Sequence, residues 1–340
     1  CSAGDYGSVD VNAAIAIVDD TGCSVVVKQN AAIGNGAVGV LVVSDPDANG
    51  SPAGLFTPGY YRELTSPVAV IDAAADAQLR RTSAPIRLTL DAKGAVVKSR
   101  SVLAQTKTGN PHDVVVVGAH LDSAADSPGL NDDGSAVAAV LETAAQLGSS
   151  PTVTNAVRFA FWGAQHADLQ GSSSYVAGLD EVGRRDIALY LDFDALGSTN
   201  AGYFTYDGDQ SGQPNPDIPA ARVPAGSAGL ERTLAGYLNL AGVRPADLPL
   251  DLASDYSAFL RAGIPIGGIT SGGTQRKTPT QARLWGGRAG APFDPNASSR
   301  GDTIANVDRA TLAITGPAVA FAVGTYAEST DGPNGVPARG

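Results

Sequence analysis

Val114–Val117 is an unbroken run of four valines that leads through Gly118 and Ala119 to His120. β-Branched side chains favour extended backbone, and a strand that is apolar at successive positions must bury both of its faces. Such a run is typical of a strand inside a sheet buried on both faces. The flanking sequence supplies the rest of that layout. Val102–Thr106, Val157–Trp162, Ile187–Phe193 and Ile266–Ile269 read as further strands. Gly134–Leu147, Gly229–Leu240, Tyr256–Ala262 and Ala310–Tyr326 read as helices, and a Gly/Pro/Asn-rich stretch near 208–220 as a loop. This alternation predicts an α/β domain with a mixed, mostly parallel sheet flanked by helices.

Residues 1–93 alternate on a smaller scale. Ala13–Val18, Val38–Val43, Pro67–Ile71 and Ile86–Leu90 read as strands, Val25–Gly36 and Ala73–Arg81 as helices, and Asp45–Tyr61 as a loop. Two domains are expected, 1–93 and 94–340. With 43% hydrophobic residues the chain can bury a core in each.

Charge narrows the function classes. The net charge is −11 and the 23 basic residues form no run, so the footprint that neutralises nucleic-acid phosphates is missing. No apolar run reaches the roughly 18–20 residues that span a bilayer. Only Lys28, Lys93, Lys98, Lys107 and Lys277 are lysine, and the wealth of Ala, Gly, Val, Asp and Arg predicts a GC-rich bacterial genome. Cys1 and Cys23 leave three readings open: two free thiols, one disulfide, or a lipid anchor on Cys1. The disulfide is favoured and implies an oxidising compartment outside the cytoplasm.

Polar residues just beyond parallel strands usually form the site in such folds. After Val114–Gly118 come His120, Asp122 and the Asn131-Asp132-Asp133 turn; after Val157–Trp162 come Gln165 and His166; Asp192 and Asp194 end Ile187–Phe193. Imidazole and carboxylate together suit zinc and similar borderline ions. A buried histidine with aspartates capping a helix start accounts for the same residues without a metal. His112 sits in a polar turn and no Gly-x-Ser-x-Gly elbow occurs, which leaves a serine triad few options.

Val114–Leu141 closely resembles the metal-binding segment of secreted, co-catalytic di-zinc aminopeptidases, an exopeptidase family that includes the glutamate-carboxypeptidase type. The resemblance continues through Val157–Val176, Leu191–Ser198, Ser254–Gly268 and Lys277–Thr303. Residues 1–93 resemble the protease-associated domain that many of these enzymes carry as an insertion, which places Cys1 and Cys23 at its disulfide. The resemblance implies that His120, Asp132 and Asp194 ligate one zinc, with Asp132 bridging to a second, and that the Asp122 carboxylate orients the histidine ring. It also implies two glutamates where this chain has Gln165 and His166, the first a general base and the second a ligand. A histidine ligand is implied where this chain has Ser298.

An amide cannot accept a proton, and general base catalysis contributes about 10²–10⁴ in rate. A serine hydroxyl is a poor zinc ligand beside imidazole. At most one zinc is therefore expected, on His120, Asp132 and Asp194 with His166 as a further candidate; an empty site is the alternative. The expected function is that of an exported relative with a degenerate site, impaired or inactive as a peptidase, acting as a binding or structural protein of the envelope. The alternative is a one-zinc aminopeptidase. A peptide or protein partner is expected, with Tyr60 and Tyr61 as candidate contacts. The family's segment before the protease-associated insertion is not seen ahead of Cys1, which points to oligomerisation or a complementing chain. The expected location is extracellular or in the cell envelope, as a secreted protein or lipoprotein.

Overall fold

The computed structural model describes residues 1–19, 25–43, 65–82, 84–90, 98–212, 214–215 and 218–337. The chain divides into two compact units, Cys1–Lys98 and Ser99–Gly340. The expected boundary after residue 93 falls among residues 91–97, outside the described ones, as do Cys23 of the expected disulfide and Tyr60 and Tyr61.

In the first unit β1 (Ile15–Asp19), β2 (Gly39–Val43) and β3 (Val68–Ile71) form a parallel sheet in that order. Helix α1 (Val25–Gly34) follows β1, and Val25 and Ala32 join Val40 and Val42 in the core. Lys28 of α1 is buried, with 5% of its surface exposed. Helix α2 (Ala73–Leu79) begins where the Asp72 carboxylate accepts the Ala75 N–H, the usual N-cap contact. Ile86–Leu90 is not a strand, contrary to expectation. Its apolar residues alternate, but Ile86 and Leu90 stay exposed, and alternation makes a strand only where a sheet edge and a core receive it.

The second unit holds a seven-stranded sheet: β4 (Val102–Gln105), β5 (Asn110–His120), β6 (Asn155–Trp162), β7 (Ile187–Asp194), β8 (Phe204–Tyr206), β9 (Ala246–Leu248) and β10 (Ile266–Thr270), in the order β4-β6-β5-β7-β10-β8-β9. Strands β6, β5, β7 and β10 are mutually parallel, while β4 and β8 run antiparallel to their inner neighbours. The valine run forms the centre, as expected, and its alternation feeds two cores. Val115 and Val117 join Val140 of α3 (Gly134–Leu147), Leu234 of α6 (Ser227–Leu240) and Val323 of α9 (Arg309–Glu328). Val114 and Val116 join Val176 of α4 (Gln170–Gly178) and Phe259 of α7 (Tyr256–Arg261) on the other face. The run must end in glycine, because a Cβ on Gly118 would lie 2.2 Å from Tyr190 Oη and 2.6 Å from Trp162 Nε1.

Two short helices, α5 (Glu181–Arg185) and α8 (Pro279–Trp285), complete the unit. Lys277, 1% exposed, donates from Nζ to the carbonyls of Ala201 (2.7 Å) and Gly286 (3.0 Å) and so ties down the segment leading to Asp294. By length and composition α9 could cross a membrane, although no run in the sequence suggested it. Here Ala318, Val319, Ala322 and Val323 bury one side of it in the core.

Helix α3 carries the chain from β5 to β6 on one side, whereas β7 pairs with the other side of β5. This reversal opens a crevice beyond the carboxyl ends of β5 and β7. In-register pairs Gly118–Asp192, His120–Trp162 and Asp194–Thr270 bring the polar strand ends level around it.

Candidate metal centre

His120 is the last residue of β5 and is 3% exposed. Its Nδ1 lies 2.8 Å from the backbone carbonyl of Asp122, an acceptor only, so Nδ1 carries a proton and Nε2 faces the crevice. Nε2 lies 3.3 Å from Asp132 Oδ1 and 4.0 Å from Asp194 Oδ1. The expected role of Asp122 is corrected in its atoms. Its carbonyl orients the ring, while its carboxylate accepts the backbone N–H groups of Gln165 (2.8 Å) and His166 (2.9 Å). Two amides presented side by side hold this carboxylate, and they fix the turn that follows β6.

The other expected residues converge on the same crevice. The nitrogen of His166, a nitrogen of His120 and an oxygen of Asp132 all lie within 4.8 Å of one another, as do ligand atoms of His120, Asp133 and Asp194. The two imidazole rings meet edge to face with centroids 5.4 Å apart. Ser298 Oγ donates to Asp132 Oδ2 at 3.2 Å. The Gln165 side chain instead reaches toward the Ala253 carbonyl at 3.5 Å.

Several supporting residues went unassigned in the sequence. Asp133 spends both oxygens on backbone, accepting the N–H of His120 and of Ala195 at 3.0 Å each, and so laces the ends of β5 and β7 together. Asp302 accepts the N–H groups of Asn131 (2.8 Å) and Asp132 (3.0 Å), and Asn131 Nδ2 donates to Asp294 (2.6 Å). These contacts tie the Asp132 turn to the segment carrying Ser298. Beneath the crevice, Trp162 Nε1 donates to Tyr190 Oη (2.9 Å), which donates to Asp192 Oδ1 (2.7 Å), and Ser172 donates to the buried Asp255. The Asn131-Asp132-Asp133 run marked the turn, but nothing in the sequence separates a strut from a ligand. The Asp132–Asp133 peptide is cis, and the non-glycine residues Ala164, Ala195 and Ser298 have φ of +62°, +49° and +55°. Backbone held in this left-handed region gathers at functional sites.

The electrostatics call for a cation. Among the described residues no lysine or arginine pairs with Asp132, Asp133, Asp192, Asp194 or Asp255. Burial, aided by neighbouring carboxylates, pushes Asp194 up to about 7 and Asp255 to about 6, and raises Asp133 and Asp192 well above the carboxylate range. Burial alone would lower His120, yet Asp133, Asp132 and Asp194 hold it well above the ordinary histidine value. Asp132 is lowered despite its burial, by His120, His166 and the Ser298 hydroxyl, whereas burial lowers His166. Clustered carboxylates beside imidazole nitrogens, with no lysine or arginine among the described residues to balance them, fit a divalent borderline metal.

The profile of peptidase family M28 matches residues 101–323, and that of the PA domain matches residues 1–79. The chain is 48% identical over 345 residues to the "probable lipoprotein aminopeptidase LpqL" of Mycobacterium tuberculosis, covering 99% of this chain and 67% of that protein. It is 36% identical over 333 residues to an aminopeptidase of Pseudomonas aeruginosa, covering 97% of this chain and 60% of that one. Among solved structures, an aminopeptidase from Aneurinibacillus sp. strain AM-1 superposes with a TM-score of 0.67 at 24% identity, covering 100% of this chain and 74% of that one. A zinc aminopeptidase from Bacillus subtilis superposes with a TM-score of 0.65 at 20% identity, covering 98% and 74%. At these identities the two structures speak for the fold alone. The chain thus spans about 60–67% of the length of the sequence relatives named here.

Proposed function

Since the chain belongs to peptidase family M28, we propose that it is a zinc-dependent aminopeptidase that removes N-terminal residues from peptides, using one ion held by His120, Asp132 and Asp194. The observation that carries this reading is His120 Nε2, oriented by the Asp122 carbonyl and facing two carboxylates that no lysine or arginine balances among the described residues. The relatives described as aminopeptidases support the reaction class, and the Bacillus subtilis zinc enzyme supports the choice of metal.

Zinc, when bound, supplies Lewis acidity that polarises a carbonyl oxygen and acidifies water. The chain's own residues set the stage for that chemistry. The Asp122 carbonyl fixes the His120 tautomer, and Asp133 keeps the His120 and Ala195 backbones in register. Gln165 cannot take a proton, so turnover proceeds without the carboxylate base the resemblance implies, at a rate reduced by about 10²–10⁴. That same residue favours a second reading, in which the protein no longer hydrolyses peptides and serves as a binding or structural module for a peptide or protein partner. In either case the chain is assigned to the cell envelope, in line with the lipoprotein description of the mycobacterial relative.

The test is hydrolysis of a series of aminoacyl-nitroanilides by purified protein with zinc added or chelated. Zinc-dependent release that disappears in His120→Ala and Asp132→Asn supports the aminopeptidase. Bound zinc without release from any member of the series selects the second reading.

A further inference from the structure

We infer that this site is built for a single ion, with His166 as an additional ligand and Ser298 closing the side on which a second ion would sit. The inference rests on the reading of this crevice as a metal centre and specifies its ligand shell.

A carboxylate that bridges two ions commits one oxygen to each. In Asp132 the second oxygen already has a partner. Oδ1 faces His120 Nε2 at 3.3 Å, and Oδ2 accepts the Ser298 hydroxyl at 3.2 Å. The serine is held in that position. Its φ is +55°, and the turn around it is closed by Asn296 N–H on Asp294 Oδ1 (2.8 Å) and Ser299 Oγ on the Asn296 carbonyl (2.7 Å). Network contacts from Asp302 to the Asn131 and Asp132 amides keep the two segments together.

His166 stands where it can serve the ion that Oδ1 faces. Its donor atom lies within 4.8 Å of those of both His120 and Asp132. Four donors at about 2.0–2.2 Å from a tetrahedral zinc lie roughly 3.3–3.6 Å apart, so His166 and Asp194, which each group with His120 but not with one another, must draw together as the ion binds. The imidazole projects from fixed backbone, because the Asp122 carboxylate holds the N–H groups of residues 165 and 166.

Charge counting agrees. Asp133 turns both oxygens to backbone amides, whereas Asp132 and Asp194 each turn an oxygen toward His120 Nε2. Their two negative charges with neutral imidazoles balance one divalent ion. A second ion would bring two further positive charges to a half-site whose residues, Gln165 and Ser298, are neutral.

Metal-free protein titrated with Co²⁺, followed by calorimetry and visible absorption, tests the assignment without recourse to activity. One equivalent is expected, and on saturation with diamagnetic Zn²⁺ the ¹⁵N ring resonances of both His120 and His166 should shift. Loss of an outer partner of a ligand costs about 10–100-fold in affinity, so His166→Ala should cost at least 100-fold and alter the absorption bands. His166→Gln, closer in size, guards against misfolding and should behave alike. The double change His166→Glu with Ser298→His should admit a second equivalent. Two equivalents in the unaltered protein, or a His166 ring that does not shift while His120 does, would overturn the inference. No binding at all would instead sink the metal-centre reading on which it rests.

Discussion

Replacing Tyr190 with phenylalanine removes one oxygen from the floor of the crevice and changes little else. The Tyr190 ring is fully buried and stacks on Phe259 with centroids 3.9 Å apart and planes 7° from parallel, a contact phenylalanine keeps. What is lost is the hydroxyl linking Trp162 Nε1 (2.9 Å) to Asp192 Oδ1 (2.7 Å). The indole N–H is then left without its acceptor in a dry interior, at about 1–3 kcal/mol. Asp192, 3% exposed and pushed by burial toward its neutral form, keeps only the long contact from the Tyr256 N–H at 3.4 Å, and a buried carboxyl stripped of its partner adds a similar cost. The expected loss is about 2–5 kcal/mol, against about 5–15 kcal/mol for a whole domain. For a unit of this size that corresponds to a fall in Tm of roughly 5–15 °C. Urea unfolding followed by circular dichroism and tryptophan fluorescence measures it. A Tyr190→Phe protein within about 0.5 kcal/mol of the parent would refute the reasoning that the two buried hydrogen bonds of this hydroxyl support the floor of the crevice.

Two further substitutions probe the frame. A Cβ on Gly268 would lie 1.8 Å from the Asp192 carbonyl oxygen, in backbone already fixed by the pairing of β10 with β7, so Gly268→Ala should yield little soluble protein at 37 °C by gel filtration. Away from the crevice, burial and the neighbouring Asp209, Asp247 and Asp207 raise the Glu231 carboxyl to about 7, from 4.5. The folded state then binds more protons than the unfolded state between those values, and this contribution to stability falls as pH rises from about 4.5 to 7. Glu231→Gln should flatten that slope in urea titrations across the interval; an unchanged slope would count against the assignment.

How much could be read before the structure depended on length and burial. The valine run named the central strand because four buried β-branched residues in succession admit little else. Helices α3 and α9 were legible because each spans several turns with an apolar face. The three-residue strands β8 and β9 were not, since no periodicity can be counted over Phe204–Tyr206 or Ala246–Leu248. Helix α4, with Gly and Ser in its Gln170–Tyr175 stretch, defeats propensity and exists because Ser172 and Val176 pack inward. At the site, His120, Asp132, Asp194, His166 and Ser298 were identifiable as positions, but partners were not. Whether Asp122 uses its carbonyl or its carboxylate, and whether Asp133 is a ligand or a strut, depends on which amides the folded backbone turns toward them.

The two buried lysines have a practical consequence. Of the chain's five lysines, Lys98 and Lys107 are exposed and should react at once with an amine-acylating reagent. Lys28, 5% exposed, and Lys277, 1% exposed, can react only when their surroundings open. They fall in different units, one before Lys98 and one after Ser99. The acylation rate at each, read peptide by peptide in a mass spectrometer, therefore reports how often each unit opens, with no residue substituted.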